Sequence, residues 1–417
     1  MHRSWHAVVF DGSPGEASKE DGPHVPRMRS LVARLVCIAV WVASMQAVGL
    51  RAQSADTQSD QPKLIPRTHD EREQRFLSQH RIILNVHVTD ATGRPYSDLQ
   101  QNDFTLYDNE QPRKIVSFRP IQAGSTVAAD HVILVLDTVN NFTRPLHFFE
   151  KEIEKFLTQE KGLLPHPVAI GVFYGSHISV GPASRDRDAV LADLKEKSAE
   201  LHATGCVTEQ DHGDKMQAPG LTRGAGMSAE SAAMLACLNQ RFVSSVNAVR
   251  QLALEQVNLP GRVILIWIGP GWPLLNNRSF SPDPPELKQN FFAQLVGVST
   301  ALREAQVTLN AVASPDDASP NSQGSEIFLE GISSEEQVRA GNLGLHALAH
   351  QTGGHIVTET RDIAGQIGGC IADAESYYAL SFDSPPAAAF GEYHTLAVKV
   401  NKPGLDVRTN TVYYAEQ

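Results

Sequence analysis

One acid stands out by its position. In the segment HVILVLDTVNN, residues 131–141, five apolar residues run without interruption from Val132 to Leu136, and Asp137 closes the run. An unbroken apolar run of this length reads as a strand covered on both faces, the habit of a parallel sheet. Ligands of open α/β sheets bind beyond the carboxyl ends of the strands. Asp137 is therefore placed either to hold a metal or ligand, or to cap the strand end by accepting backbone N–H groups of the following turn. His346 and His350 lie four apart on a predicted helix, with His355 just beyond, but Ala347 stands where a zinc-binding His-Glu-x-x-His motif carries its glutamate. Surface or partly buried histidines are the expectation there. Asp316 and Asp317 suit a solvated loop. The turn GPGWP (269–273) lacks the Lys and Ser/Thr of a phosphate loop, and no Gly-x-Ser-x-Gly elbow occurs. Asn141, two residues before Thr143, matches a glycosylation acceptor by chance.

The elements that must position Asp137 follow from periodicity. In RIILNVHVTD, Leu84, Val86 and Val88 alternate with Asn85, His87 and Thr89, the pattern of a half-buried strand. DFTLYDN (103–109) and RKIVSFRP (113–120) read as further strands. From Asp137 onward strands alternate with helices. Helices are predicted near 145–160, 186–197, 229–258, 285–305, 339–352 and 362–375. Strands fall within 167–184 (two, joined tightly at Gly175-Ser176), 262–273, 306–314 and 353–359. That order implies a doubly wound, mostly parallel sheet with one antiparallel edge strand. SYYALSFDS (376–384), YHTLAVKVNKPG (393–404) and LDVRTNTVYYA (405–415) return to period two. Neither terminal group has enough strands to bury its own apolar face. We therefore expect the strands of 81–122 and 376–417 to pair into one β-sandwich, with the α/β domain, 129–375, inserted between them or flanked by them.

The N-terminal region is read as processing sequence. Residues 28–55 combine a basic start at Arg29 and Arg34, an apolar core from Leu35 to Ala43, and small residues at Ala47, Gly49 and Ala52. This is the pattern of a secretory signal peptide, with an apolar run too short for a stable membrane span. Residues 1–27 read as an upstream extension and 56–80 as a polar, exposed linker. The 417-residue chain carries a formal net charge of −11, and loss of residues 1–55, with six Lys/Arg and four Asp/Glu, leaves −13. Such acidity disfavours nucleic acid or an anionic membrane as the partner. Of the cysteines outside the signal, Cys206 with Cys237 is one pairing that closes a loop in an oxidising compartment, leaving Cys370 as a buried thiol, although spacing does not fix connectivity.

The order of elements resembles that of a von Willebrand factor type A domain, and the chain is similar to the VWFA-related Acidobacterial domain family. The resemblance rests on NVHVTDATGRPYSDLQQNDFTLYDNEQPRKIVSF, VILVLDTVNN, PGRVILIWIGPGW, LGLHALAHQTGG and DAESYYALSFDS, and on the closing YHTLAVKVNKPGLDVRTNTVYYA. It spans roughly residues 82–415 and implies an exported protein, naming a fold far better than a function. Many type A domains hold Mg²⁺ at an adhesion site built on Asp-x-Ser-x-Ser, a loop Thr and a second Asp, because a hard cation takes oxygen ligands in octahedral array. The resemblance puts Asp137, Val139 and Asn141 at the first motif and Ile268 or Gly269 at the second acid. Thr204 and Thr222 are both open as the loop Thr. Val139, Ile268 and Gly269 have no side-chain oxygen, so the site reads as degenerate. The resulting expectation is an exported, non-enzymatic, protein-binding module without a cofactor, secreted or periplasmic, whose partner is a protein or cell-envelope component. Asn140, Asn141, Trp272 and Phe280 are its candidate contact residues. The alternatives are an adhesin binding Mg²⁺ or Ca²⁺ through Asp137, Asn141 and Thr222, and a secreted hydrolase using Asp137 with nearby histidines.

Overall fold

The computed structural model describes residues 80–122, 130–141, 143–159, 161–199, 201–206, 229–272, 285–313, 328–359 and 361–415. The expected signal peptide, the upstream extension and all of the linker but His80 lie outside them, as do Thr222, Phe280 and the Asp316-Asp317 pair. Among the described residues no helix is long and apolar enough to cross a membrane.

The described residues open with four strands, β1 (Arg81–Asp90), β2 (Phe104–Asp108), β3 (Gln111–Arg113) and β4 (Ser117–Gln122). It then enters an α/β unit, whose elements are β5 (His131–Asp137), α1 (Thr143–Gln159), β6 (Leu163–Tyr174), β7 (His177–Val180), β8 (Ser184–Asp186), α2 (Arg187–Ser198), α3 (Ala229–Gln256), β9 (Val263–Ile268), α4 (Pro285–Glu304), β10 (Val307–Val312), α5 (Leu345–Gln351), β11 (Ile356–Val357) and α6 (Ile363–Ala372). It closes with β12 (Ser376–Asp383), β13 (Glu392–Val400), β14 (Leu405–Arg408) and β15 (Val412–Ala415).

The central sheet runs β11-β10-β9-β5-β6-β7. Its inner strands are parallel, while β7 and β8 pair antiparallel with β6. The apolar runs of β5, β9 and β10 are buried along their whole length because helices cover both faces. On one face Ile133, Val135, Leu265 and Leu309 pack with Phe242, Val249, Leu295 and Leu348 from α3, α4 and α5. On the other, Val132, Leu134, Leu136 and Ile266 pack with Phe149, Ile153, Val190 and Ile367 from α1, α2 and α6. Each such side chain contributes about 1.5–3 kcal/mol by leaving water. The predicted helix over 339–352 is broken into a 3-10 turn, Ala340–Leu343, and the shorter α5, because Gly344 is extended, with ψ 154°.

The terminal strands form two antiparallel four-stranded sheets, β14-β1-β12-β4 and β15-β13-β2-β3. Each sheet mixes strands from both ends of the chain: β1 lies between β12 and β14, and β2 pairs with β13. Leu84, Val86 and Leu380 of one sheet and Leu106, Val398 and Tyr413 of the other share one apolar cluster. The α/β unit leaves this pair of sheets after β4 and returns at β12. The stretch LDVRTNTVYYA, read as one strand, is two, and they belong to different sheets.

A buried polar network joins the sheets to the amino ends of β5 and β9. Arg262 donates from Nε to Asp130 Oδ2 (2.7 Å) and from Nη1 to His87 Nε2 (3.0 Å), and a further N–H reaches the Asp373 carbonyl. Its guanidinium lies 3.8 Å over the Tyr377 ring, and the Tyr377 hydroxyl donates to Asp130 Oδ1 at 3.3 Å. Asp373 is also bonded by His355 (3.0 Å) and Arg408. Asn85 and His87 on the polar face of β1 are therefore buried, His87 against Arg262 of the α/β unit. Burial, reinforced by the nearby guanidinium of Arg262, pushes the His87 imidazole down to about 3, so it stays neutral. Burial also opposes the Asp373 charge, but the His355 bond and the Arg408 charge outweigh it and hold the carboxyl below the usual range.

Candidate functional site

Asp137 is fully buried at the carboxyl end of β5. Its Oδ1 accepts the backbone N–H groups of Val139 (3.0 Å) and Asn140 (2.8 Å). Its Oδ2 accepts Asn140 Nδ2 (2.9 Å) and the indole N–H of Trp267 (3.1 Å). Two donors on each oxygen is close to the full capacity of a carboxylate. Burial raises the acid to about 6, against the opposing bonds from Asn140, Trp267 and Val139.

The donors are themselves fixed. Trp267 is the last but one residue of β9, paired with Val135 of β5, with its ring 5.4 Å from Phe173 and 5.3 Å, edge on, from Trp272. Asn140 Nδ2 also donates to Ser245 Oγ (2.9 Å), and Arg241 Nε lies 3.4 Å from Asn140 Oδ1. The two polar residues of α3 thus meet the turn after β5 from the side.

A loop closes over the same turn. Thr204 donates its N–H to the Thr138 carbonyl (2.8 Å), and the two hydroxyls lie 2.8 Å apart. Thr138 Oγ1 also donates to the Phe173 carbonyl. Gly205 passes so near that a Cβ there would overlap the Val139 carbonyl oxygen. Cys206 is joined to Cys237 of α3 by a disulfide, with the Cα atoms 5.8 Å apart, and Cys370 is a free, buried thiol. Burial pushes that thiol up to about 12, which removes the thiolate needed for reactivity.

The residues singled out in the sequence are distributed unevenly around this centre. Asn140 and Asn141 are buried, and the Asn141 amide nitrogen has no hydrogen-bond partner. Gly269 lies against them with φ +147°, and a Cβ there would come within 2.7 Å of Asn141 Nδ2. Of the two threonines open for the loop position, Thr204 stands at this turn, bonded to Thr138. Trp272, which the sequence left open as a contact anchor or as local core over the sheet, is 2% exposed and donates its indole N–H to the Leu343 carbonyl at 2.8 Å. Its ring completes the core beside Trp267, so it offers no surface to a partner. Asn140 is likewise turned inward as a donor to Asp137. His346 is buried and His350 half-buried, with its imidazole lowered by burial, while His355 belongs to the Asp373 network. Among the described residues no three His, Cys, Asp or Glu side chains converge as metal ligands. Sequence reasoning missed Trp267, Ser245 and Arg241. No spacing rule connects them to Asp137, because α3 and β9 reach it only through the fold.

The strand order and the closed turn define a mixed α/β protein with a mostly parallel sheet and two antiparallel sheets. No family model matches the chain, and no curated protein matches it. Among solved structures it is similar to the human COPII-coat protein Sec24c, at TM-score 0.33 and 9% identity over 70% of this chain and 44% of that one. It is also similar to an aerotolerance-related membrane protein from Bacteroides fragilis, at TM-score 0.28 and 12% identity over 59% and 98% of the two chains. A third is the pilus adhesin SpaC from Lactobacillus rhamnosus GG, at TM-score 0.34 and 9% identity over 80% and 41%. The chain spans less than half the length of the Sec24c and SpaC chains.

Proposed function

We propose that this chain is an exported, non-catalytic interaction module of the von Willebrand factor type A kind, whose cation-dependent adhesion site has become a closed structural plug. The observation that supports this reading most is the state of Asp137: both its oxygens are engaged by donors of the protein itself. Mg²⁺ requires a near-octahedral set of oxygens, and Ca²⁺ more. The residues present do not fit such an ion. Val139, Ile268 and Gly269 supply no side-chain oxygen, Thr138 is tied to Phe173 and Thr204, and Trp267 brings Asp137 an N–H donor rather than an oxygen ligand. Export is supported by the signal-like 28–55 segment and by the Cys206–Cys237 disulfide, which suits an oxidising compartment. The partner is a protein or cell-envelope component rather than nucleic acid, in keeping with the charge of −11.

The test is thermal unfolding with and without millimolar Mg²⁺, Mn²⁺ or Ca²⁺. A ligand that binds only the native state must stabilise it, by about 2.7 kcal/mol at a hundredfold excess over Kd. No rise in melting temperature is expected. A metal-dependent rise that disappears in Asp137→Ala would replace this reading with a metal-dependent adhesin.

A further inference from the structure

The shared core of the two antiparallel sheets ends in a polar cluster. Glu392 and His394 are two apart on β13 and so lie on one face of the strand. Asp108 of β2 and Tyr413 of β15 face the same side, opposite Leu396 and His394 respectively. His394 Nδ1 is 2.6 Å from Asp108 Oδ1. Asp108 Oδ2 accepts the Tyr413 hydroxyl at 3.1 Å and lies 3.2 Å from Arg113 Nε. A carboxylate only accepts, so the Nδ1 nitrogen carries the proton that it donates to Asp108. The other ring nitrogen, Nε2, is buried and has no hydrogen-bond partner, and the side chain is 4% exposed. Glu392 Oε1 stands 3.5 Å from it on the side where the cluster meets solvent, with 37% of the glutamate side chain exposed.

We propose that His394 Nε2 and Glu392 Oε1 bind a divalent ion of the zinc class, with Asp108 orienting the imidazole. Ligands about 2.0–2.1 Å from a tetrahedral zinc stand about 3.3–3.4 Å apart, close to the 3.5 Å between these two atoms. A carboxylate that takes the second ring N–H of a ligating histidine fixes its tautomer and raises its basicity. Arg113 and Tyr413 hold that carboxylate in turn. Two side chains leave two positions for water or for a partner's donor, entering past the exposed side of Glu392. The site is therefore weak on its own. It is separate from Asp137, which sits at the end of β5 in the α/β unit.

The probe is Zn²⁺ alone, titrated calorimetrically into the purified chain, with Co²⁺ absorption reporting the geometry. The expected result is one ion per chain and at least a tenfold loss of affinity in both Glu392→Gln and His394→Asn. Glu392→Gln alters a partly exposed side chain and leaves the Asp108–His394–Tyr413 core in place, so it remains informative if His394→Asn fails to fold. Absence of binding at 1 mM Zn²⁺, on the order of the weakest useful affinity, would overturn the proposal. So would affinity unchanged in Glu392→Gln.

Discussion

A carboxylate withdrawn from water needs donors, and Asp137 has four of them, two from the backbone of the next turn and two from side chains. Removing their acceptor leaves buried N–H groups without partners, each costing about 1–3 kcal/mol. Asp137→Ala is therefore expected to lower stability by about 3 kcal/mol or more, measured by urea denaturation. The pH dependence separates charge from shape. The folded acid titrates at about 6, above its ordinary 3.8, so the native state holds the proton more tightly than the unfolded chain. Its contribution is fully present below about pH 3.8 and is lost as pH rises through 6, up to about 3 kcal/mol. Asp137→Asn should be less stable than the wild type at pH 4 but lack this part of the decline between pH 4 and 7. An unchanged slope would place the titration elsewhere. The position of Asp137 and its role as a strand-end cap were legible from an apolar run ending in an acid. The Trp267 bond was not, because an indole inside an apolar strand looks like core until the neighbouring strand is known.

At the scale of elements, β1 shows why half of the terminal strands cannot stand alone. Its neighbours on both sides, β12 and β14, are contributed by the far end of the chain, and β2 depends likewise on β13. A chain ending after residue 375 should therefore lose hydrogen-exchange protection throughout β1, β2 and β4, although none of their residues is changed. Retained protection in those strands would mean that they find partners among themselves. Shortage of strands made this pairing legible in the sequence, since an apolar face must be covered. The split of LDVRTNTVYYA was not legible. Thr409 to Thr411 carry no Gly or Pro, and the chain changes sheets there so that Arg408 can reach Asp373 while Tyr413 and Ala415 enter the shared core. Alternation along β1 was read correctly for Leu84, Val86 and Val88. It misled for Asn85 and His87, which are buried; His87 is met by Arg262, 175 positions away.

For the molecule as a whole, the question is what makes the inserted α/β unit and the paired sheets fold as one. Arg262 is the central group. It is 1% exposed, bonds Asp130 and the Asp373 carbonyl on its own side, and meets His87 and the Tyr377 ring on the other. A neutral His87 can accept the guanidinium N–H, which is why its lowered titration belongs to the same design. Taking the guanidinium away strands Asp130 as a buried charge, and breaking a buried pair from one side costs about 3–5 kcal/mol. Arg262→Gln should therefore destabilise the chain by that amount. It should also weaken the coupling between the two parts, because the polar bridge is lost and the apolar link that remains is Tyr414 of β15, packed on Phe292 of α4 within the α/β core. Calorimetry of the wild type should show one transition, and the variant should show a broadened or double one, with the Trp267 fluorescence of the α/β core no longer melting together with the sheets. A single sharp transition at a lower temperature would assign the coupling to apolar contacts instead and leave Arg262 a purely local support.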